Sequence, residues 1–231
     1  MSPNLVGTKN LNGFLNQVSS TKVIDTVFSF FLTKNEKPGS ILTFGGYNVE
    51  KFAKEGLKES DVKWFDIDKQ NMQYWSIPMG GDQISLGSGP NSTAKISSSN
   101  VILDSGLSYA LIPSHDIKVM MQLLNDKYGL SCARDQFDVE QNGGNLAFPT
   151  CSGCNKTNYD KVEDFKFKLG GQDFVMPKSS FLHMRDNNKF SDEESEMCNL
   201  VLAQSDMDTS GSASGASFFG EGGSQNWLLG D

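Results

Sequence analysis

Asp104 stands where a carboxylate is costly. It follows Val101, Ile102 and Leu103 and precedes Ser105-Gly106, and the chain turns apolar again at Ala110, Leu111 and Ile112. Asp before Ser-Gly is a common turn, in which the acid accepts local backbone hydrogen bonds. Between two apolar runs the same turn predicts a poorly solvated carboxylate, whose charge is set by its hydrogen bonds and neighbours. That setting suits an acid with a chemical task, the taking or giving of a proton. A second such acid is not evident. Asp208-Thr209-Ser210-Gly211 comes nearest, but it lacks a preceding apolar strand and has an extra residue before the glycine. His115 and His183 have no obvious nucleophile partner, so a Ser-His triad is unsupported, and both read as surface or packing residues.

Cys132, Cys151, Cys154 and Cys198 form an even set confined to the second half of the chain. They fit two disulfides or a metal site. Cys151-Ser152-Gly153-Cys154 has zinc-like or redox-like spacing, but Cys132 and Cys198 do not make a second such knuckle. The uneven pattern favours disulfides, and with them an oxidising compartment. Asn91-Ser92-Thr93 and Asn155-Lys156-Thr157 are acceptor sequons for N-glycosylation.

Short alternating runs and turn signals must position these residues. Val27–Thr33 and Ile41–Gly46 flank Pro38-Gly39 and read as a hairpin. Tyr74–Met79 and Gln83–Gly87 flank Gly80-Gly81 and read as a second. Phe165–Leu169 alternates strictly and meets Phe174-Val175-Met176-Pro177 across Gly170-Gly171, a third. Strict alternation predicts antiparallel sheet with one face wet. Leu11, Phe14, Leu15 and Val18 have helical spacing. A clearer helix opens at Ser114 as N-cap, with Asp116 in its first turn, a stripe of Ile117, Met120, Met121, Leu124 and Tyr128, and Gly129 as its stop. Residues 205–225, rich in Gly, Ser and Ala, predict a long flexible loop.

The 231 residues are 37% apolar and 21% charged, an ordinary globular composition. A formal net charge of −8 argues against nucleic acid and anionic membranes as partners. No apolar run is long enough to span a bilayer. The first residues lack the charged and apolar regions of a secretory signal. The expected fold is mostly β, with antiparallel sheets and a few short helices.

The Val101–Pro113 stretch resembles the second active-site motif of the pepsin-like aspartic proteases: apolar residues, Asp, Thr or Ser, Gly, a small residue, Ser. Trp227-Leu228-Leu229-Gly230-Asp231 is similar to that family's later apolar-apolar-Gly-Asp segment. Ser40–Asn48 resembles the strand that leads from the first lobe toward the second. Tyr74–Gly87 resembles the Tyr-Trp strand pair before the motif, and Phe165–Leu182 the Phe-rich hairpin after it. These signals run in family order from Ser40 to Asp231, and residues 1–18 resemble the loop and helix that follow the first lobe's motif.

The resemblance implies the second lobe of a bilobal acid protease. Residues 1–39 would be the inter-lobe connection and 40–231 the C-terminal catalytic lobe, short of its last strands. It implies an aspartic endopeptidase that attacks peptide bonds at acid pH with a water activated between two aspartates, Asp104 being the second. The other aspartate and the substrate-covering flap would come from the missing N-terminal lobe in cis, and this chain alone would be inactive and poorly stable. Two further readings stand beside it: a non-catalytic relative that binds peptide or protein, and a homodimer in which two copies of Asp104 form the pair. Ser105, Gly106 and Ser108 match the motif. Leu107 departs from it, replacing a Thr whose hydroxyl serves the carboxylate. Tyr74 matches an aromatic of the substrate cleft, and Trp75 a core position. Leu228, Leu229 and Gly230 match the brace behind the catalytic loop. The family's disulfide would join Cys198 to Cys151 or Cys154, leaving Cys132 for the remaining one. No cofactor or metal is implied, the partner is a peptide or protein substrate, and the compartment is secreted or lysosomal/vacuolar.

Overall fold

The computed structural model describes residues 17, 20–21, 23–33, 37, 39–69, 74–134, 148–184, 196–204 and 226–230. Leu11, Phe14, Leu15 and Val18, the loop 205–225 with Asp208, and Asp231 lie outside them. The chain divides into two compact units, Met1–Tyr74 and Trp75–Asp231.

In the first unit β1 (Phe28–Phe31) and β2 (Ile41–Phe44) pair antiparallel, Phe28 opposite Phe44, as the sequence predicts. A short helix α1 (Val49–Phe52) follows, capped by the Asn48 side chain, which accepts from Lys51 N–H at 2.8 Å. A single 3-10 turn covers Glu59–Asp61.

Among the described residues the second unit holds three sheets. Its strands are β3 (Ser76–Pro78), β4 (Gln83–Leu86), β5 (Thr93–Lys95), β6 (Asn100–Leu103), β7 (Ala110–Ile112), β8 (Ser131–Arg134), β9 (Pro149–Ser152), β10 (Phe165–Leu169), β11 (Gln172–Met176), β12 (Leu182–Met184), β13 (Cys198–Leu200), β14 (Leu202–Gln204) and β15 (Asn226–Leu229). Its helices are α2 (Ser114–Tyr128), α3 (Lys156–Lys161) and α4 (Lys178–Phe181). The sheets run β11-β10-β4-β5, β12-β13-β9-β8 and β14-β7-β15-β6-β3. Most pairs are antiparallel, and β15–β6 and β14–β7 are parallel.

The β10–β11 hairpin forms as its alternation predicts, with Phe165, Phe167 and Leu169 buried and Lys166 and Lys168 exposed. Gly170 and Gly171 both have positive φ, 56° and 80°, the backbone that a two-residue hairpin turn needs. The hairpin expected across Gly80-Gly81 does not form. β3 pairs with β6, while β4 pairs with β5 and β10 in another sheet. Gly80 instead lets the chain cross between sheets. A Cβ there would collide with the Gly171 backbone, and Gly80 N–H donates to Lys168 O at 3.3 Å.

Helix α2 buries Ile117, Met120, Leu123 and Leu124, with Met121 and Tyr128 half-buried. Gly129 ends it at φ 65°. Its N-cap is Pro113 and not Ser114, because extended Pro113 already accepts the first helical bond, from Ile117 N–H at 3.0 Å. At the far end Lys127 Nζ donates to Leu86 O, Ser88 O and Glu163 Oε2 at 2.7–2.8 Å, and Tyr128 Oη donates to the same carboxylate oxygen at 3.0 Å. Burial opposes the charge on Lys127, but Glu163 beside it holds the ammonium above its ordinary pKa. The core gathers around Trp227, Phe165 and Phe181, with Phe167 packed on Trp227 at 5.3 Å between ring centres.

All four sulfurs are paired. Cys132 bonds Cys151 and Cys154 bonds Cys198, so of the two cysteines in the CxxC it is Cys154 that joins Cys198. Cys151 lies opposite Cys132 across β8–β9 and opposite Cys198 across β9–β13, which is why spacing alone left the choice open.

Candidate active site

The Asp104 turn is held from three directions. Strand β6 delivers the residue, and Leu103 N–H donates to Trp75 O at 3.0 Å. Strand β15 threads between β6 and β7: Leu229 lies opposite Leu103 in parallel, and Leu228 opposite Leu111 in antiparallel. Asp104 N–H donates to Leu229 O at 2.9 Å, a backbone bond between the turn and this strand. The turn closes on itself, with Leu107 N–H donating to Asp104 O at 3.1 Å. Gly106 N–H donates to the carboxylate Oδ1 at 2.9 Å, a charge-assisted bond to a backbone amide.

Two glycines make this packing possible. A Cβ on Gly230 would run into Leu107 O and Tyr109 O. One on Gly106 would stand 3.1 Å from Asp104 Oδ1, crowding the acid. Asp104 itself is half-buried, less enclosed than its apolar flanks predict. The flanks bury selectively: Val101 and Ile102 are buried, whereas Leu103 beside the acid is 45% exposed.

The other expected residues are placed as follows. Ser105 and Ser108 are exposed, and Leu107 is half-buried against the Gly230 backbone. Leu228 is buried, and Leu229 and Gly230 are half-buried. Tyr74 closes the first unit and Trp75 opens the second, both half-buried, so Trp75 is not the core indole that its position suggests. Trp227 is. His115 is exposed with Nδ1 3.0 Å from Asp116 Oδ1, and His183 is exposed with Nε2 2.7 Å from Ser179 O.

Asp116 is the residue whose importance the sequence did not disclose. It is fully buried. Its Oδ1 accepts from Ser97 N–H at 2.7 Å and Ser97 Oγ at 3.0 Å, and its Oδ2 from Ser98 N–H at 3.2 Å, Ser98 Oγ at 2.6 Å and Trp227 Nε1 at 2.9 Å. Burial works against its charge, but the donors from Ser97, Ser98, His115 and Trp227 outweigh it and hold the carboxyl down at about 2. The acid thus ties α2 to β15, the strand whose Leu229 carbonyl receives Asp104 N–H. An acid in a helix's first turn and a paired serine were visible in the sequence. Their convergence on Trp227 was not.

The family model for eukaryotic aspartyl proteases matches residues 4–231. The chain belongs to that family. It is a pepsin-like aspartic protease chain, mostly β, with the antiparallel sheets that the resemblance implied. A solved structure, an aspartic proteinase from Irpex lacteus, is similar in fold, with a TM-score of 0.55 and 21% identity over 94% of this chain. The match covers 54% of that proteinase, so the aspartyl protease chain spans about half its length. No curated protein matches. Among the described residues no helix is long and apolar enough to cross a membrane.

Proposed function

We propose that this chain supplies the second catalytic aspartate, Asp104, of a two-lobed acid endopeptidase. The observation that carries the reading is the Asp104 turn, braced through Leu229 O and hydrogen-bonded through Gly106 N–H. In this reading residues 40–231 are the C-terminal catalytic lobe and residues 1–39 the connection to a first lobe, which supplies the partner aspartate and the flap in cis. Two carboxylates at hydrogen-bonding distance cannot both ionise cheaply, so they share one proton. The ionised member takes a proton from a water held between them. That water attacks the peptide carbonyl, which the protonated member polarises. No metal or cofactor is needed for these steps. Ser105 braces the opposite lobe, Gly106 keeps the turn tight, Ser108 supports it, and Tyr74 lines the cleft. The two disulfides support a secreted or lysosomal/vacuolar compartment.

The test is cleavage of an unfolded protein at acid pH by the whole reading frame that contains this chain, with and without pepstatin. Asp104→Asn is expected to lower the rate about 10³-fold, and the chain alone to cleave nothing. Full activity in the Asp104→Asn protein would sink the assignment. Leu107 favours a second reading, a cleft that binds peptide without cutting, because Leu offers the carboxylate no hydroxyl. Peptide binding without turnover in the unaltered protein would decide for it.

A further inference from the structure

We propose that Asn91 is an N-glycosylation site, whose glycan stands at the tip of the β4–β5 hairpin. The reading rests on the oxidising compartment proposed above and not on proteolysis. Asn91-Ser92-Thr93 ends the loop that joins the two strands, and Ser88, Gly89, Pro90 and Asn91 are all exposed. Asn91 and Thr93 face solvent, while Ser92 between them is 7% exposed and buried. The acceptor residue and the hydroxyl-bearing residue two positions on are therefore both exposed at the turn. Asn91 makes no hydrogen bond among the described residues, so its Nδ2 is free to react.

The base of the loop is anchored, which fixes where the tip points. Leu86 N–H donates to Ser92 O at 2.8 Å, Gly87 N–H to Asp164 O at 3.1 Å, and Lys127 Nζ to Ser88 O at 2.8 Å. Asn155 in the second sequon is a poorer acceptor. Its Oδ1 caps α3 by accepting from Asn158 N–H at 3.0 Å, it is half-buried, and it adjoins the disulfide-bonded Cys154. All four cysteines are in disulfides, the state of a chain that folds where N-glycans are attached.

In the transfer, Asn91 Nδ2 attacks the anomeric carbon of an oligosaccharide carried on a lipid pyrophosphate. The C–N bond forms as the C–O bond to the pyrophosphate breaks. The amide loses one proton, and the lipid pyrophosphate leaves with the electron pair. β5 is the edge of its sheet, and a glycan beside it covers an edge open to pairing with another chain.

A competing explanation for Asn91 is its backbone, since φ is 58° and Asn tolerates the left-handed region better than most residues. The experiment separates the two. The full chain is secreted from a eukaryotic host, its disulfides are mapped, and gel mobility and peptide masses are compared with and without an N-glycosidase. The unaltered chain, Thr93→Ser and Asn155→Gln are expected to lose one glycan's mass on treatment, with Asn91 converted to aspartate. Thr93→Val, which leaves the turn and the strand intact, is expected to show no change on treatment, and so is Asn91→Gly, which keeps the left-handed backbone. An unshifted wild-type chain with both disulfides formed would overturn the proposal, as would a shift that survives Thr93→Val. Peptide cleavage is not read in this experiment, so either result leaves the Asp104 assignment to its own test.

Discussion

At the scale of single residues, Asp104 and Asp116 are acids in opposite situations. Asp104 is half-buried, with the Gly106 backbone amide donating to its carboxylate. Asp116 is sealed, and its hydrogen bonds commit it to remaining ionised. Its folded pKa of about 2 lies below the ordinary 3.8. Its contribution to stability is therefore complete above about pH 4 and is lost as the pH falls through about 2, and it amounts to roughly 2 kcal/mol. Urea unfolding between pH 5 and about pH 2 should show that loss in the unaltered chain and a flatter profile in Asp116→Asn, which starts about 2–3 kcal/mol less stable. Equal pH slopes in the two chains would disprove this account. The Ser97, Ser98 and Trp227 donors hold this buried carboxylate ionised well into the acid range.

At the scale of elements, the decisive piece is β15. Four residues lie between two strands of the motif, carry the buried indole, and leave Gly230 against the Leu107 and Tyr109 carbonyls. Gly230→Ala has no room for its methyl and should cost about 1–3 kcal/mol, measured as a lowered urea midpoint with unchanged slope. No measurable shift would mean that the loop yields easily. The two disulfides should differ in worth. Cys154–Cys198 closes a separation of 44 residues and Cys132–Cys151 one of 19, so chain entropy assigns them about 4 and about 3 kcal/mol. Replacing each pair by alanine and comparing thermal midpoints checks the order, and a reversed order would show native packing to outweigh loop closure.

At the scale of the whole molecule, the two units rest on unequal foundations. Among the described residues the first has the two-stranded β1–β2 sheet, and two-stranded pairing is marginal in water. The second has three sheets around Trp227, Phe165 and Phe181. Amide exchange at β1 and β2 should therefore be faster than at β6 and β15, and equal protection would refute the distinction.

Much of this was legible in the residues. Alternation marked β10, and the Gly pair marked its turn. The apolar run before Asp104 marked β6, and Gly129 marked the end of α2. These are local matters, settled by which face a side chain takes and which backbone a glycine permits. The sequence by itself also determined the family, because the Asp-Ser-Gly motif and the Leu-Leu-Gly-Asp segment stand in the family's order. Only the tertiary structure decided that β3 and β4 part into different sheets, that Cys154 rather than Cys151 meets Cys198, and that Asp104 is half-buried. It alone joined Asp116 to Trp227, 111 positions apart. Such contacts depend on which distant segments pack together, and no local spacing records that choice.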